Sequence, residues 1–597
     1  MIRLDLSHLP QELLTIIESL GGIPQRPRRF LTTEEARQVI DQYNNQSIEQ
    51  QLASLFCLEI NGQDNGNKFN VALDFVNRFG GLGAIVPYGY MARELVLAAN
   101  LIKTKSQEHG LSTALFIDAE CGLGGFWNDG KPLFIPDATW TPGIQALSSI
   151  GDQELGCALA YCMGLMIGRE VAWLGEATLS PECDVVDGRN LEGPRSFGNA
   201  QRVCTYASYL IQGCIDGGTS VIIKHFPGRG NWIADPNNPG FNYVDRHNDN
   251  LWEQNIRPFR NCGPNVVGAL VEYTEVDACG KLLPTVINPG QLHNLHNFLR
   301  NGLVVSDDLC LKYVCDRYGA EEIVRLALLS GCDILLKPTD PFKAFEYILA
   351  AAKKDRHARR RIGESSLRKA LFDARHGLNL PHGGMANLEM VGKVVGCPQH
   401  RALAQYIANE SVIMLDNTGD LLPLSEEWRT KQCNIHNIVV TPCPDGPLPA
   451  AIEREMQARF PVATINMSAA MPDNPNWIET CRGVPEADLV FVWLLVSDRN
   501  TDNTLVDLHI RLISWRAEGK MIVFSFGGLR QTDKIRGNPT LCGSAAGGWG
   551  GNPLLYVQAF LDVVLGIRPP RGRLPLSIDL PVGELPEGYG LTWENND

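Results

Sequence analysis

The sequence has no excess of positive charge: 67 Asp and Glu residues stand against 53 Lys and Arg, for a formal net charge of -14. A broad surface for nucleic acid or for an anionic membrane is thereby excluded, since either needs a basic face. An anionic substrate is not, because a pocket on an acidic protein can be locally positive. No apolar run approaches the roughly 20 residues of a membrane helix. The opening Met1-Ile2-Arg3-Leu4-Asp5-Leu6-Ser7 has no basic segment followed by an apolar one. The expectation is therefore a cytoplasmic chain with neither signal peptide nor membrane anchor. The 17 cysteines contain no Cys-x-x-Cys pair, and the spacings of Cys157/Cys162 and Cys310/Cys315 suit helix packing better than metal ligation. Reduced thiols in cores are expected, with no metal site and no organic cofactor. Tandem repeats and low-complexity tracts are also lacking.

What the sequence does contain is a recurring unit. The run Gly302-Leu303-Val304-Val305 stops on Ser306-Asp307-Asp308. Ala114-Leu115-Phe116-Ile117 likewise runs into Asp118-Ala119-Glu120, Ser220-Val221-Ile222-Ile223 into Lys224-His225, and Ala269-Leu270-Val271 into Glu272-Tyr273. Ala84-Ile85-Val86 runs into Pro87-Tyr88, and Asp333-Ile334-Leu335-Leu336 into Lys337-Pro338. Segments with helical spacing, such as 154–170 and 321–329, lie between them. Short apolar strands alternating with amphipathic helices predict a parallel sheet covered on both faces. About eight units in some 345 residues fit a closed TIM-like (β/α)₈ barrel, whose polar strand ends share one mouth. The 597 residues exceed one core. Residues 1–48 are read as an N-terminal helical extension, 49–345 as the barrel and 346–395 as a linker whose Lys-, Arg- and Ala-rich stretch forms a solvated helix. Residues 396–597 are read as a C-terminal α/β domain with buried strands near 438–440, 489–496 and 521–526.

Lys224-His225-Phe226-Pro227-Gly228-Arg229-Gly230, followed by Gly302 to Leu309, resembles the paired signatures of family 3 glycoside hydrolases. The resemblance extends through Ser180-Pro181-Glu182-Cys183-Asp184, Pro194-Arg195-Ser196-Phe197-Gly198 and Asn409-Glu410-Ser411-Val412-Ile413-Met414-Leu415, covering most of residues 50–585. It implies a barrel followed by an α/β sandwich domain. Asp245-Arg246-His247 matches the Asp-x-His pair of the family's bacterial β-N-acetylglucosaminidases. The Glu that family β-glucosidases place before an Asp-Arg pair is missing ahead of Asp498-Arg499.

Retaining glycosidases need a carboxylate nucleophile and a proton donor for the leaving oxygen. Asp307 is expected as the nucleophile, kept ionised by Lys224; the competing reading is a helix cap, and for Asp308 capping or structural hydrogen bonding is preferred. His247 is expected as acid and then base, with Asp245 raising its pKa; without the motif it would read as a surface histidine. Asp118, Arg195, Lys224 and His225 are expected to bind sugar hydroxyls. Their alternatives are a cap for Asp118, a salt bridge for Arg195 and a buried polar pair for Lys224 with His225.

Three departures bear on the substrate. Leu123 stands where the glucosaminidases resembled carry an arginine, Arg229 where they carry a second histidine, and Tyr273 where the family has a histidine. A long loop between Gly230 and Asp245 carries Trp232, either a sugar platform or a loop anchor. The expected activity is that of a retaining exo-β-N-acetylglucosaminidase on a carbohydrate partner, such as a cell-wall fragment. The rivals are another exo-glycosidase of the family such as a β-glucosidase, a phosphorylase, and a non-catalytic carbohydrate-binding protein.

Overall fold

The computed structural model describes residues 9–24, 31–125, 133–186, 195–229, 233–234, 242–243, 249–278, 281–300, 302–380, 383–472, 481–495, 503–517, 519–527, 538–544, 551–578 and 585–593. Eight short strands run in parallel in chain order: β1 (Phe56–Asn61), β2 (Ala84–Tyr88), β3 (Ala114–Ile117), β4 (Ala177–Thr178), β5 (Ser220–Phe226), β6 (Gly268–Val271), β7 (Leu303–Ser306) and β8 (Leu335–Leu336). The ring closes because β1 pairs with β8 and Val305 of β7 bridges to Ile334, just ahead of β8. This is the expected barrel.

Strand side chains alternate with a period of two. One set, including Cys57, Val86, Phe116, Ile222, Leu270, Val305 and Leu336, packs inside the barrel. The other, including Leu58, Ile85, Leu115, Val221, Val271 and Val304, meets the surrounding helices. Burial on both sides is why the strands read as unbroken apolar runs.

The helix Gln153–Leu174 is longer than its periodicity predicted, and at 22 residues, with an 18-residue window of mean hydropathy 1.3, it is long and apolar enough to cross a membrane. The sequence reading found no such run. It is a core helix here, since 94% of that apolar window is buried inside the protein. It crosses the helix Ala200–Asp216 backbone to backbone: a Cβ at Gly164 would lie 2.1 Å from the Leu210 carbonyl oxygen, and one at Gly213 2.1 Å from that of Tyr161.

The helix Arg356–Arg375 also differs from expectation. It buries Ile362, Lys369, Phe372 and Asp373, and Phe372 joins the barrel-interior cluster. Charges of its C-terminal half are paired inward, Lys369 with Asp373 at 2.5 Å and Arg368 with the buried Asp333 at 2.8 Å, while Arg356, Arg359 and Arg360 stay exposed. Composition alone had therefore made a barrel helix look like a solvated one.

The second sheet contains β9 (Ile413–Asp416), β10 (Asn434–Val440), β11 (Thr464–Ala470), β12 (Leu489–Leu494), β13 (Met521–Ser525) and β14 (Thr540–Cys542), in the order β9-β14-β13-β12-β10-β11. Of these pairings only that of β9 with β14 is antiparallel. Ile435, Phe491, Trp493 and Phe524 pack on one face against Ile452, Met456 and Phe560. Ile438, Val490, Val492 and Val523 pack on the other against Val506, Ile510 and Ile513. Helices on both faces make this an α/β sandwich.

Candidate active site

The alternation that fills the barrel also sets its mouth. One step beyond Phe116, Ile222, Leu270 and Val305, the inward direction falls to Asp118, Lys224, Glu272 and Asp307. Charged groups at strand C-termini are where barrel enzymes place chemistry.

Lys224 is 2% exposed. Its ammonium lies 2.5 Å from Asp118, 2.6 Å from Glu120 and 3.9 Å from Glu182. Arg195 grips Glu120 with two bonds, Nε to Oε2 at 2.9 Å and the terminal nitrogen to Oε1 at 2.7 Å, and stands 3.7 Å from Glu182. Three buried carboxyls thus face two cations. Burial, then the neighbouring Glu120, pushes the Glu182 carboxyl well above the carboxylate range. Burial pushes Asp118 up to about 6 against the pull of Lys224. Glu120 is held well below its ordinary value, because Arg195 and Lys224 outweigh its burial. Lys224 stays charged, as Asp118, Glu120 and Glu182 outweigh the burial that opposes its charge. A neutral Glu182 leaves two anions for two cations, which buried charges require.

His225 and Asp184 form a second pair. The Nδ1 of His225 lies 2.8 Å from Asp184 Oδ2, and the Arg229 amide donates to the other oxygen at 3.0 Å. Asp184 therefore ties β5 to the segment after β4.

Asp307 follows β7. Its amide donates to the Val271 carbonyl at 2.8 Å, and its Oδ1 accepts the Asp308 amide at 2.8 Å. The cation recorded against it is Arg229, 3.4 Å from Oδ2, whereas Lys224, expected to hold it ionised, is engaged by the carboxyls of β3 and β4. Of the two readings of Asp308, the structure shows structural bonding rather than a cap. Asp308 pairs with Lys337 at 2.6 Å, and the next helix, Lys312–Tyr318, begins after Leu311 without a side-chain cap. The Tyr273 hydroxyl donates to the Asp308 carbonyl at 2.9 Å, fixing this turn from below. Leu123 is fully buried, so an apolar contact fills the place where the glucosaminidases resembled have an arginine.

The mouth thus gathers Asp118, Arg195, Lys224, His225 and Asp307. Asp245, His247 and Trp232 lie outside the described residues. The backbone flanking that loop is described in part: Ile233–Ala234 pairs with Asn242–Tyr243, and Tyr243 pairs with Glu275 of a hairpin after β6. Arg317 anchors that hairpin through Glu275 at 2.6 Å. Glu120, Glu182, Asp184 and Glu272 had been left without roles; the two-residue period from the interior Phe116 and Leu270 points Glu120 and Glu272 at the mouth, whereas Glu182 and Asp184 lie beyond the end of β4, where no strand period announces them.

Residues 85–370 match the model of the glycosyl hydrolase family 3 N terminal domain. The chain is 27% identical over 266 residues to a β-hexosaminidase of Tolumonas auensis, covering 43% of this chain and 75% of that protein. Alignments with other β-hexosaminidases span 46 to 60% of those proteins. Among solved structures, a β-glucoside phosphorylase BglX superposes with a TM-score of 0.73 at 16% identity, over 91% of this chain and 97% of that one. A family 3 β-N-acetylglucosaminidase from Paenibacillus sp. superposes with a TM-score of 0.71 at 19% identity, over 88% and 98%. At those identities the structural likeness establishes the fold, a barrel with a following α/β sandwich. Residues 85–370 are thus a glycosyl hydrolase family 3 N terminal domain, and the curated relatives named β-hexosaminidase and the barrel-plus-sandwich fold agree with that match.

Proposed function

We propose that this family 3 glycosidase is a retaining exo-β-N-acetylglucosaminidase, cleaving a terminal β-linked N-acetylhexosamine through a covalent glycosyl-enzyme on Asp307. The observation that carries the reading is the placement of Asp307 at the end of β7, its Oδ1 held by the Asp308 amide and its Oδ2 facing Arg229. A carboxylate so held presents one oxygen to an anomeric carbon. Asp118, Lys224 and Arg195 are assigned to sugar hydroxyls, with His225 placing β5 through Asp184. The Asp245/His247 pair is assigned to proton transfer: the imidazole protonates the leaving oxygen, then takes a proton from water. The acetamido preference draws support from that pair and from relatives named β-hexosaminidase.

One observation favours a second reading. Arg229 sets a fixed positive charge beside Asp307, which would lower the repulsion met by an incoming phosphate, so phosphorolysis is the rival. Nitrophenol release from the β-N-acetylglucosaminide and from the β-glucoside, each with and without phosphate, tests both, with Asp307→Asn as the blank. Turnover of the acetamido sugar without phosphate, lost in the blank, is expected. Phosphate-dependent release of a sugar 1-phosphate would replace hydrolysis with phosphorolysis, and preference for the glucoside would remove the acetamido assignment.

A further inference from the structure

Beside Asp307 the mouth holds a further inward-facing carboxyl, Glu272, for which this reaction scheme has no role. β6 and β7 run side by side with Val271 opposite Ser306, so Glu272 and Asp307 leave adjacent strands at the same level. Leu270 and Val305 both point into the barrel, and the alternation turns both carboxyls into the mouth. Glu272 is 4% exposed. The Thr274 hydroxyl donates to its Oε1, and its Oε2 lies 3.7 Å from the Nε of Arg229. A terminal nitrogen of the same guanidinium is 3.4 Å from Asp307 Oδ2. One arginine is shared between two carboxyls.

We propose that Glu272 is a positioning residue for Asp307, acting through Arg229: an uncharged Glu272 leaves the guanidinium to Asp307, and an ionised one draws it away. The proposal rests on Asp307 being the nucleophile. The groups facing Glu272 are Arg229 after β5, Asp184 after β4, Asp307 after β7, Tyr313 on the helix Lys312–Tyr318, and Thr274 on its own segment. Burial pushes its carboxyl up to about 8, with Arg229 opposing and Asp184 and Asp307 adding to the rise. At neutral pH the group is therefore an acid, so the pair Glu272 and Asp307 carries one negative charge against one guanidinium. Above about 8 it carries two. Glu272 then competes for Arg229, and Asp307 loses the contact that fixes its Oδ2.

The test uses 2,4-dinitrophenyl β-N-acetylglucosaminide, whose leaving group departs without a proton, so that the pre-steady-state burst reports attack by Asp307 alone. The wild-type burst rate is expected to fall by roughly tenfold per pH unit above the Glu272 midpoint. Glu272→Gln, which keeps the uncharged shape, is expected to lack that fall; a variant that keeps it overturns the proposal. Infrared difference titration supplies a readout that needs no turnover, through the protonated-carboxyl band lost in Glu272→Gln. Its midpoint is expected to drop in Asp307→Asn, which removes a repelling charge, and to rise in Arg229→Gln, which removes an attracting one. A midpoint unmoved by both substitutions overturns the proposal even in a chain that cleaves nothing. A midpoint that moves in a wild type that releases no dinitrophenol refutes the glycosidase reading instead.

Discussion

Lys224→Met removes a lysine that touches three carboxyls at once, and the structure gives the size and pH dependence of the loss. With the ammonium gone, Asp118 loses its 2.5 Å partner and Glu120 keeps only Arg195. Breaking a buried pair by removing one partner costs about 3–5 kcal/mol, which for a domain this large is a fall of roughly 5–10 °C in Tm. The pH dependence follows from Asp118, whose folded pKa of about 6 lies above an unfolded value of about 3.9. A carboxyl raised in this way contributes fully below the unfolded value, and its contribution is lost as pH rises through the folded one. Lys224 restrains that rise, so in the variant the folded pKa moves above 6. The variant therefore goes on losing stability where the wild type has levelled off, by about 1.4 kcal/mol per pH unit. Denaturant unfolding of both proteins at pH 5 and pH 8 should show a gap that is wider at pH 8 by up to about 3 kcal/mol. An equal gap at the two pH values, or one below about 1 kcal/mol at pH 8, would refute the charge accounting of this cluster.

Tyr273→Phe removes the 2.9 Å bond to the Asp308 carbonyl, at a cost of about 1 kcal/mol; kcat should drop several-fold with little change in KM, as initial-rate kinetics will show. His400 lies 2.8 Å from Glu170 and its pKa is raised to about 9, since bonds to Cys397 and Glu170 outweigh its burial. Its contribution is thus present below about 6.5 and lost as pH climbs through 9. Stability should decline over that window by at most about 3 kcal/mol, and His400→Gln should flatten the decline in a series of thermal melts. Gly213→Val must push apart two helices whose backbones leave a Cβ only 2.1 Å. Overpacking of this kind costs about 1–3 kcal/mol or more, to be read by thermal melting, and Gly392→Ala, with open space around it, should leave Tm within about 1 °C.

The parts legible beforehand are those governed by local periodicity. Short apolar runs ending at or just before Asp118, Lys224 and Asp307 told strand from helix, and eight such units told barrel from open sheet. What stayed hidden depends on which residues meet across the mouth. Lys224 was expected to serve Asp307, because both are strand-end charges, but the carboxyls of Glu120 and Glu182 reach it from β3 and β4, leaving Arg229 for Asp307. Arg356–Arg375 misled for a related reason: its Arg368 and Lys369 are satisfied by Asp333 and Asp373 beneath the barrel, and composition does not reveal such partners.

Glu272 could have been found from sequence by parity rather than motif. Once the strands are read as a closed parallel barrel, a residue two positions beyond an interior one must face the mouth. Leu270 is interior, so Glu272 faces inward and Tyr273 does not; the tyrosine instead packs against Tyr313 and reaches the site only through its hydroxyl. Arg229 meets both inward carboxyls with one guanidinium, 3.7 Å from Glu272 and 3.4 Å from Asp307, so the surroundings of Asp307 follow from where parity puts Glu272 as much as from the arginine at 229.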